Sequence, residues 1–525
     1  MKHTRRALVV TVMAIAMGLP LAADWPVTEK VDLDAIYRIK EEGLQRSKVM
    51  ETASYLTDVY GPRLTGSPEI KEAADWAMKT MTSWGLTNVH LEKWQFGRGW
   101  RSERVFAMAM TPRAYPLIAY PKAWTPGTNG TVTGEAVVAF INEEKDFDKF
   151  RGQLRGKFVL SAPMREVTAR FTPDATRYTE GELADLAKQP QAAGRGGGRG
   201  NIQGAQAFAR KRTQFWIDEG VAAVLDFSRG DDGTVFVQSG GSRDPKDPPA
   251  PAQVTLEVEH YGRIMRTLEK KIRVTLQMDI VNRFYDDDPQ AFNVVGELRG
   301  TDKADELVMV GAHFDSWHTG TGATDNAAGS AVMMEAMRIL KATGITLRRT
   351  VRIGLWSGEE QGLLGSKEYV KAHFGDPATM KLLPEHAKFS AYFNVDNGTG
   401  AIRGVYQQGN EAVAPIFQAW MEPFRNLGMT TLSIRNTGGT DHLSYDAVGL
   451  PGFQFIQDAV DYNTRTHHSN MDTYERLQAN DMMRNAVIVA SFVLHAANRE
   501  DKLPRKPLPA PPPPPPAPGR ASAVN

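Results

Sequence analysis

The sequence of 525 residues contains no cysteine. Disulfide bridges, thiol nucleophiles, thiolate metal sites and lipid attachment at a cysteine are therefore excluded. Any metal site in this protein has to be built from histidine, aspartate and glutamate side chains.

An excess of charge of one sign is also missing, since 62 Lys and Arg residues balance 61 Asp and Glu residues to a net charge of +1. Such a chain has no overall field that favours nucleic acid or an acidic membrane surface. A Gly- and Arg-rich stretch at 192–200 has no aromatic neighbours and lacks the Lys-Ser/Thr ending of a phosphate loop. We interpret this stretch as a surface loop, and we expect no nucleic-acid partner.

Long apolar runs are missing beyond the first residues of the chain. Basic residues, among them Lys2 and Arg6, precede an apolar run from Ala7 to Leu19, and small residues follow before Asp24. This order is typical of a secretory signal peptide, which we place at residues 1–23. The run is shorter than the ~20 residues of a membrane span, which favours a signal peptide over an uncleaved anchor. The sequence thus predicts export to the periplasm or the extracellular space, with no membrane span after cleavage.

The length of the chain predicts two or three domains. After the signal, residues 24–113 contain a predicted helix at 33–56 and a second helix that begins at Ser67-Pro68. Residues 114–288 differ in character and contain short β-like runs at 132–141, 157–161, 222–227, 253–258 and 273–280. Residues 501–525 are Pro-rich, and we expect an extended or disordered tail there.

Residues 289–500 alternate apolar runs with helical patterns. Strands are predicted at 293–298, 307–311, 351–356, 391–395 and 453–456. Helices are predicted at 326–341, 362–373, 413–427 and 481–497. This alternation predicts an α/β domain with a mixed, mostly parallel central sheet flanked by helices, beside which the β-rich segment 114–288 is an inserted module.

Metal-capable residues follow several of these predicted strands. They are His313, Asp315, Glu359, Glu360, Asp396 and the pair His467-His468, while Asp325 opens a helix. Each alone has an ordinary explanation; Asp325, for example, is a good N-cap. Because sites form beyond the carboxyl ends of strands in an open α/β sheet, we expect these side chains in one crevice. Several carboxylates there would repel one another unless a divalent cation is bound between them.

Five segments containing these residues carry a resemblance to a known family. They read GAHFDSW at 311–317, TDNAAG at 324–329, WSGEEQGLLGS at 356–366, NVD at 394–396 and HSNMDT at 468–473. Together, in this order, they resemble metallopeptidase family 28, which includes zinc aminopeptidases, carboxypeptidase Q and glutamate carboxypeptidase II. The resemblance implies the zinc-exopeptidase fold, and residues 114–288 resemble the protease-associated domain that many members carry.

The resemblance also implies two Zn²⁺ ions per chain. His313 and Asp396 would bind one ion, Glu360 and His468 would bind the other, and Asp325 would bridge the two. His468 is preferred over its neighbour because the family places this ligand four residues before the Asp of an Asp-Thr pair.

Further roles are implied for residues around the metals. Glu359 would be the general base, and Asp315 would accept the second ring N–H of His313 and so fix its tautomer. His467 would be an oxyanion donor or a loop histidine. His442 resembles a common feature of the family near the pocket, without a role that we can assign.

The function implied is that of an exported two-zinc exopeptidase acting on peptides or dipeptides. Apart from Arg403, the arginine cluster with which glutamate carboxypeptidase II holds a C-terminal glutamate has no counterpart, which favours an aminopeptidase or dipeptidase acting on a free N-terminus. Three alternatives stay open: a carboxypeptidase of the glutamate carboxypeptidase type, a mono-zinc glutaminyl cyclase and a non-catalytic, receptor-like binding protein. The expected partner is a peptide substrate, and a homodimer is left open.

Overall fold

The computed structural model describes residues 29–190 and 202–510. The predicted signal peptide at 1–23, the Gly- and Arg-rich stretch at 192–200 and the run Pro511–Pro516 lie outside the described residues.

The described strands and helices alternate along most of the chain. The strands are Thr87–Gln95 (β1), Gly99–Thr111 (β2), Tyr115–Pro116 (β3), Ala119–Pro121 (β4), Val132–Val138 (β5), Phe158–Leu160 (β6), Ala223–Phe227 (β7), Gln253–Leu256 (β8), Thr275–Tyr285 (β9), Gln290–Leu298 (β10), Lys303–His313 (β11), Arg349–Trp356 (β12), Gly375–Asp376 (β13), Lys381–Leu382 (β14), Phe389–Asn394 (β15), Ile402–Tyr406 (β16), Thr431–Ser433 (β17) and Gly452–Gln457 (β18). The helices are Leu33–Gln45 (α1), Val49–Ser54 (α2), Pro68–Ser83 (α3), Phe147–Phe150 (α4), Glu180–Lys188 (α5), Ile202–Glu219 (α6), Val258–Glu269 (α7), Ala328–Ala342 (α8), Leu364–His373 (α9), Pro384–Lys388 (α10), Ala414–Met421 (α11), His442–Asp446 (α12) and Ala479–Asn498 (α13).

The central sheet has the strand order β1-β10-β12-β11-β15-β18-β16-β17. Its middle strands β12, β11, β15 and β18 are parallel, whereas β1, β10 and β16 run antiparallel to their inner neighbours. The predicted mixed, mostly parallel sheet is therefore confirmed, and the five predicted strands correspond to β10, β11, β12, β15 and β18. The parallel strands end at one edge, so the residues that follow them meet there.

A buried hydrogen-bonded line crosses the sheet just below this edge. The Trp356 indole N–H donates to the Tyr392 hydroxyl at 2.8 Å, and that hydroxyl donates to Asn394 Oδ1 at 2.6 Å. Gly311 leaves room for this line, because a Cβ there would lie 2.6 Å from the Tyr392 hydroxyl and 2.7 Å from Trp356 Nε1. The ends of β12 and β15 are thus joined across β11 by groups that would be costly to leave unpaired.

The helices cover both faces of this sheet and differ from the sequence prediction at two points. The helix predicted at 33–56 is broken between α1 and α2, where the Ser47 hydroxyl and the Lys48 N–H each donate to the buried Glu335 carboxylate at 3.0 Å. The helix predicted from residue 326 begins at Ala328, because Asp325 (φ −129°) and Asn326 (φ −137°) have a non-helical backbone.

A second sheet has the strand order β3-β2-β9-β5-β6-β7-β8-β4, with β5 to β8 parallel. Its own apolar core includes Phe158, Leu225, Leu256 and Ile264. The sheet begins at Gly99 rather than after residue 113, because β2 pairs with β9 from Gly99↔Tyr285 to Thr111↔Thr275. We refer to residues 99–285 as the second unit.

The second unit touches the central unit near the carboxyl edge of the central sheet. Thr176 forms an antiparallel bridge with Val460, and Phe236 forms one with Ser469. Both contacts lie on the chain segment that follows β18. Within 29–190 and 202–510, none of the helices combines the length and the hydropathy that a membrane span requires.

Candidate metal centre

The structure brings the predicted metal-capable residues together at the carboxyl edge of the central sheet. His313 is the last residue of β11, Glu359 and Glu360 follow β12, and Asp396 follows β15. His313, Asp325 and Asp396 expose 1%, 3% and 8% of their surface, so these ionisable groups are withdrawn from water. Buried ionisable groups need charged partners or a metal ion.

Asp325 stands at the centre, and its two carboxylate oxygens face different histidines. Asp325 Oδ1 lies 3.2 Å from His313 Nε2, and Asp325 Oδ2 lies 3.2 Å from His468 Nε2. Each imidazole nitrogen also meets a second carboxylate, His313 at Asp396 Oδ1 (3.2 Å) and His468 at Glu360 Oε2 (2.9 Å). Two triads of donor atoms thus share Asp325.

The donor atoms also group in two tighter sets. The sets are Asp325 with His467 and His468, and Asp325 with His313 and Glu360, each with its ligand atoms within 4.8 Å of one another. In these sets Glu360 is grouped with His313, whereas in the contact triads it is paired with His468. Asp325 belongs to both sets and to both triads. The direct contacts, each 3.2 Å or shorter, place Asp396 with His313 and Glu360 with His468.

The zinc implied by the family resemblance fits this donor set. Ligand atoms about 2.0–2.1 Å from a tetrahedral zinc ion lie about 3.3 Å from one another, close to the separations seen here. Two buried oxygens, Asp325 Oδ2 and Glu360 Oε1, have no hydrogen-bond partner among the described residues. Such atoms are costly to bury unless a cation or a donor reaches them.

The charges of the cluster shift one another. Burial, together with the charge of Asp325, raises the pKa of Glu360 well above its usual range. Burial, together with the charges of Asp396 and Asp441, also raises the pKa of Glu359, against an opposing effect of His313. Burial lowers the pKa of His468. Burial is the larger cause of both raised pKa values, and the neighbouring carboxylates add to it; a divalent cation bound here would compensate both effects.

Glu359 lines a pocket of about 450 Å³ together with Asp325, Glu360, Asp396 and His467. Its backbone N–H donates to Asp315 Oδ1 at 3.2 Å, which ties the strand end to the centre. Among the described residues, the Glu359 carboxylate forms no hydrogen bond or ion pair with His313 or His468, although the charge of His313 lowers its pKa. A carboxyl thus stands beside the donor set without belonging to it. That is the placement required of a general base.

Asp315 contacts His313 mainly through its main chain. The His313 Nδ1–H donates to the Asp315 carbonyl at 3.0 Å, while the Asp315 carboxylate is 3.7 Å away. That carboxylate accepts from the Thr65 hydroxyl at 2.8 Å instead. Asp315 is thus the partner of His313, as predicted, but its carbonyl oxygen rather than its carboxylate is the closer acceptor.

His467 lies beside the donor set. Its Nε2 is 3.8 Å from Asp325 Oδ2, and its ring contacts those of Tyr462 and His468 in tilted arrangements, with centroid distances of 4.8 and 3.7 Å. The side chain is 34% exposed and faces the pocket. His442, in contrast, is buried in α12, with Nε2 3.1 Å from the Thr437 carbonyl, and in the described part of the chain it forms no hydrogen bond or ion pair with the donor set.

Several residues that sequence reasoning did not select support the centre. The Tyr462 hydroxyl donates to Asp325 Oδ1 at 3.0 Å. The buried Arg63 guanidinium donates to the Phe314 carbonyl at 2.8 Å and to the Gly322 carbonyl at 3.0 Å, which fixes the loop between His313 and Asp325. Asp472 accepts from the Thr324 N–H at 2.6 Å. Arg63 and Asp472 lie in recognisable motifs, whereas nothing in the local sequence marks Tyr462.

Buried imidazoles and carboxylates around a shared aspartate, with a further glutamate facing a pocket, define the class of metal-dependent hydrolases. Residues 293–493 match the model of peptidase family M28. The metallopeptidase class expected from the sequence is thereby confirmed.

Relatives of known identity span nearly the whole chain. Carboxypeptidase Q of Mus musculus is 25% identical over 472 residues, which are 90% of each protein. A peptidase M28 precursor from Shewanella amazonensis SB2B has a similar structure, with a TM-score of 0.65, 24% identity and coverage of 91% of this chain and 98% of that chain. The zinc aminopeptidase BSAP from Bacillus subtilis gives a TM-score of 0.54 with 18% identity over 86% of this chain and 95% of that chain. The last two likenesses confirm the fold.

Proposed function

We propose that this peptidase is an exported two-zinc exopeptidase that acts on the free N-terminus of peptides or dipeptides. The observation that carries the proposal is the pair of donor triads that share Asp325, one through each carboxylate oxygen. A carboxylate shared in this way is what two ions about 3.5–4 Å apart require. The zinc aminopeptidase among the structural neighbours supports zinc as the metal.

The ligands follow from the contacts. His313 and Asp396 would hold one ion, Glu360 and His468 the other, and Asp325 both. His468 is assigned in preference to His467 because its Nε2 meets both Asp325 and Glu360, at 3.2 and 2.9 Å.

Zinc ions bound there would supply a Lewis acid for the scissile carbonyl and lower the pKa of a water molecule. Glu359 takes the proton of the attacking water, a task favoured by the raised pKa of its carboxyl, and returns it to the leaving amine. His467, exposed on the pocket side and next to Asp325, donates to the oxyanion that forms on the substrate.

The charges of the pocket support recognition of a free N-terminus. Its lining contains the carboxylates of Asp325, Glu359, Glu360 and Asp396 and no lysine or arginine among the described residues. The two zinc ions would compensate the charge of the ligand carboxylates Asp325, Glu360 and Asp396, so the lining favours a free N-terminus chiefly because its described residues offer no lysine or arginine to a C-terminal carboxylate.

Arg403 does not supply a carboxylate site. Its guanidinium is bound to Asp458 at 3.1 Å, to the Tyr178 carbonyl at 3.1 Å and to the Gly428 carbonyl at 3.0 Å. A guanidinium engaged on several sides has little capacity left for a substrate carboxylate.

A second candidate is a carboxypeptidase, the activity named for the relatives from mammals. The structural observation in its favour is Arg229, an exposed cation whose guanidinium lies over the Phe236 ring at 4.1 Å. Its charge contributes to the lowered pKa values of His467 and His468, so it lies near the pocket. A C-terminal carboxylate would be received there.

The other two alternatives differ from a two-zinc exopeptidase in the number of bound zinc ions or in the lack of turnover. A glutaminyl cyclase would bind one zinc ion and release pyroglutamate, and a receptor-like protein would turn over no substrate. Export rests on the signal peptide proposed at 1–23, and the second unit remains a proposed protease-associated domain.

The experiment that separates the two exopeptidase activities uses one matched set of peptides. A tripeptide with both termini free, its N-acetylated form and its C-amidated form are incubated with purified protein, and the products are identified by mass spectrometry. We expect the amidated peptide to lose its N-terminal residue and the acetylated one to remain intact. Release of the C-terminal residue from the acetylated peptide would contradict the proposal and establish the second candidate.

A further inference from the structure

A short segment of the second unit lies along the loop that carries His468. The Val237 N–H donates to the His468 carbonyl at 3.1 Å, and the Asn470 N–H donates to the Val235 carbonyl at 3.1 Å. The Asn470 side chain also binds this segment, since its Oδ1 accepts from the Val235 N–H at 2.7 Å. We call residues 233–238 the clasp. The loop is therefore held as a strand against the clasp rather than by the central unit alone.

Gln238, at the end of the clasp, reaches the ring of His468. Its side-chain amide nitrogen, Nε2, lies 2.9 Å from His468 Nδ1, on the side of the ring opposite to His468 Nε2, the nitrogen that meets Asp325 and Glu360. A histidine that offers Nε2 to a metal ion carries its proton on Nδ1, and this proton needs an acceptor. The amide oxygen of Gln238 meets that need after a half-turn of the amide group, which exchanges its oxygen and nitrogen at nearly unchanged shape.

The other imidazole of the centre has an equivalent arrangement. The His313 Nδ1–H donates to the Asp315 carbonyl at 3.0 Å, and its Nε2 faces Asp325 and Asp396. His313 is thus held by the central unit. No other acceptor for His468 Nδ1 is found among the described residues.

We propose that Gln238 is a positioning residue for His468, so that the second unit completes the metal centre through the clasp. The inference rests on the proposed two-zinc function. It adds that the second unit supplies the contact that orients the ligand His468. Loss of such an acceptor leaves the ring free to rotate and to take the other tautomer, and it typically weakens metal affinity by about 10–100-fold.

The test compares three variants of the full-length protein. Gln238→Ala removes the acceptor, and Gln238→Glu restores an acceptor oxygen. The control is Gln277→Ala. It removes a side-chain amide of the second sheet that, among the described residues, donates only to the Thr133 hydroxyl, at 3.0 Å. Zinc dissociation constants of both sites are measured by competition with a chromophoric chelator, and the visible spectrum of the Co²⁺-loaded protein reports the geometry of the sites.

We expect Gln238→Ala to weaken one of the two zinc sites by about 10–100-fold and to alter the Co²⁺ spectrum, while the other site keeps its affinity. Gln238→Glu should recover most of the affinity, and Gln277→Ala should equal the wild type. Unchanged zinc affinity and an unchanged Co²⁺ spectrum in Gln238→Ala would overturn the inference, as would an equal loss in Gln238→Glu. A wild-type protein that binds fewer than two zinc ions would instead contradict the proposed function, so the two failures are distinguishable.

Discussion

Replacement of Glu359 by glutamine separates the proposed base from the proposed ligands. The amide has nearly the size of the carboxyl, and the backbone N–H that donates to Asp315 Oδ1 is retained, so the fold and the donor set around Asp325 should persist. The variant cannot accept the proton of the attacking water. General acid–base catalysis contributes about 10²–10⁴-fold, so we expect kcat to fall by this factor, or about 3–5 kcal/mol in activation free energy.

The same substitution should not destabilise the metal-free protein. Glu359 is half-buried near the carboxylates of Asp396, Asp441 and Glu360. The desolvation of its carboxyl and these charges raise its pKa, and a neutral amide removes both costs. The assays are the turnover of an aminoacyl-anilide, the zinc content of the purified variant and its thermal unfolding without metal. A variant that keeps its zinc and retains activity within tenfold of the wild type would refute the assignment of Glu359 as the base.

Three further predictions concern the surroundings of the site. Trp356→Ala should lower the free energy of unfolding by about 3–5 kcal/mol in urea denaturation, because the indole is fully buried; a loss below about 1 kcal/mol would contradict this packing. Arg403→Ala should leave KM for peptides with a C-terminal glutamate within about threefold of the wild type, since Asp458 already binds this guanidinium; a tenfold increase would show that it receives substrate. Glu257→Gln should stabilise the protein relative to the wild type at pH 8 but not at pH 4. Burial and Glu259 raise the pKa of Glu257 from 4.5 to about 7, so the wild type loses stability as the pH rises through this window; an equal effect at both pH values would contradict the shift.

The architecture of the central unit follows closely from local sequence patterns. The apolar runs that became β11, β12 and β15 are buried on both faces, which makes them continuous in the sequence and easy to recognise. Because parallel strands end at one edge, the positions of His313 and Glu360 after their strands were sufficient to predict that they meet.

Contacts between distant parts of the chain were not predictable in the same way. The break after α1 depends on Glu335, nearly 290 positions further along the chain, and no periodicity within 33–56 reveals it. The start of the second unit at Gly99 depends on pairing with β9, more than 170 positions away.

The candidate metal centre likewise combines features that the local sequence predicts with features that depend on contacts between distant residues. The identity of the proposed ligands, and of Asp315 beside His313, could be predicted from their motifs, but the other residues that orient the ligands could not. Tyr462 and Gln238 reach the centre through backbone geometry that only the folded chain displays. The choice of the carbonyl rather than the carboxylate of Asp315 as the closer partner of His313 is likewise a result of packing.

The central claim is that Asp325 joins two zinc sites into one centre. The most direct measurement is the zinc content per chain, at saturation, of the wild type and of Asp325→Ala, by elemental analysis with circular dichroism as a check of folding. We predict two zinc ions in the wild type and loss of both in the folded variant, because each triad loses one of its three donors. One zinc ion per chain in the wild type, or one retained at wild-type affinity in Asp325→Ala, would contradict the account.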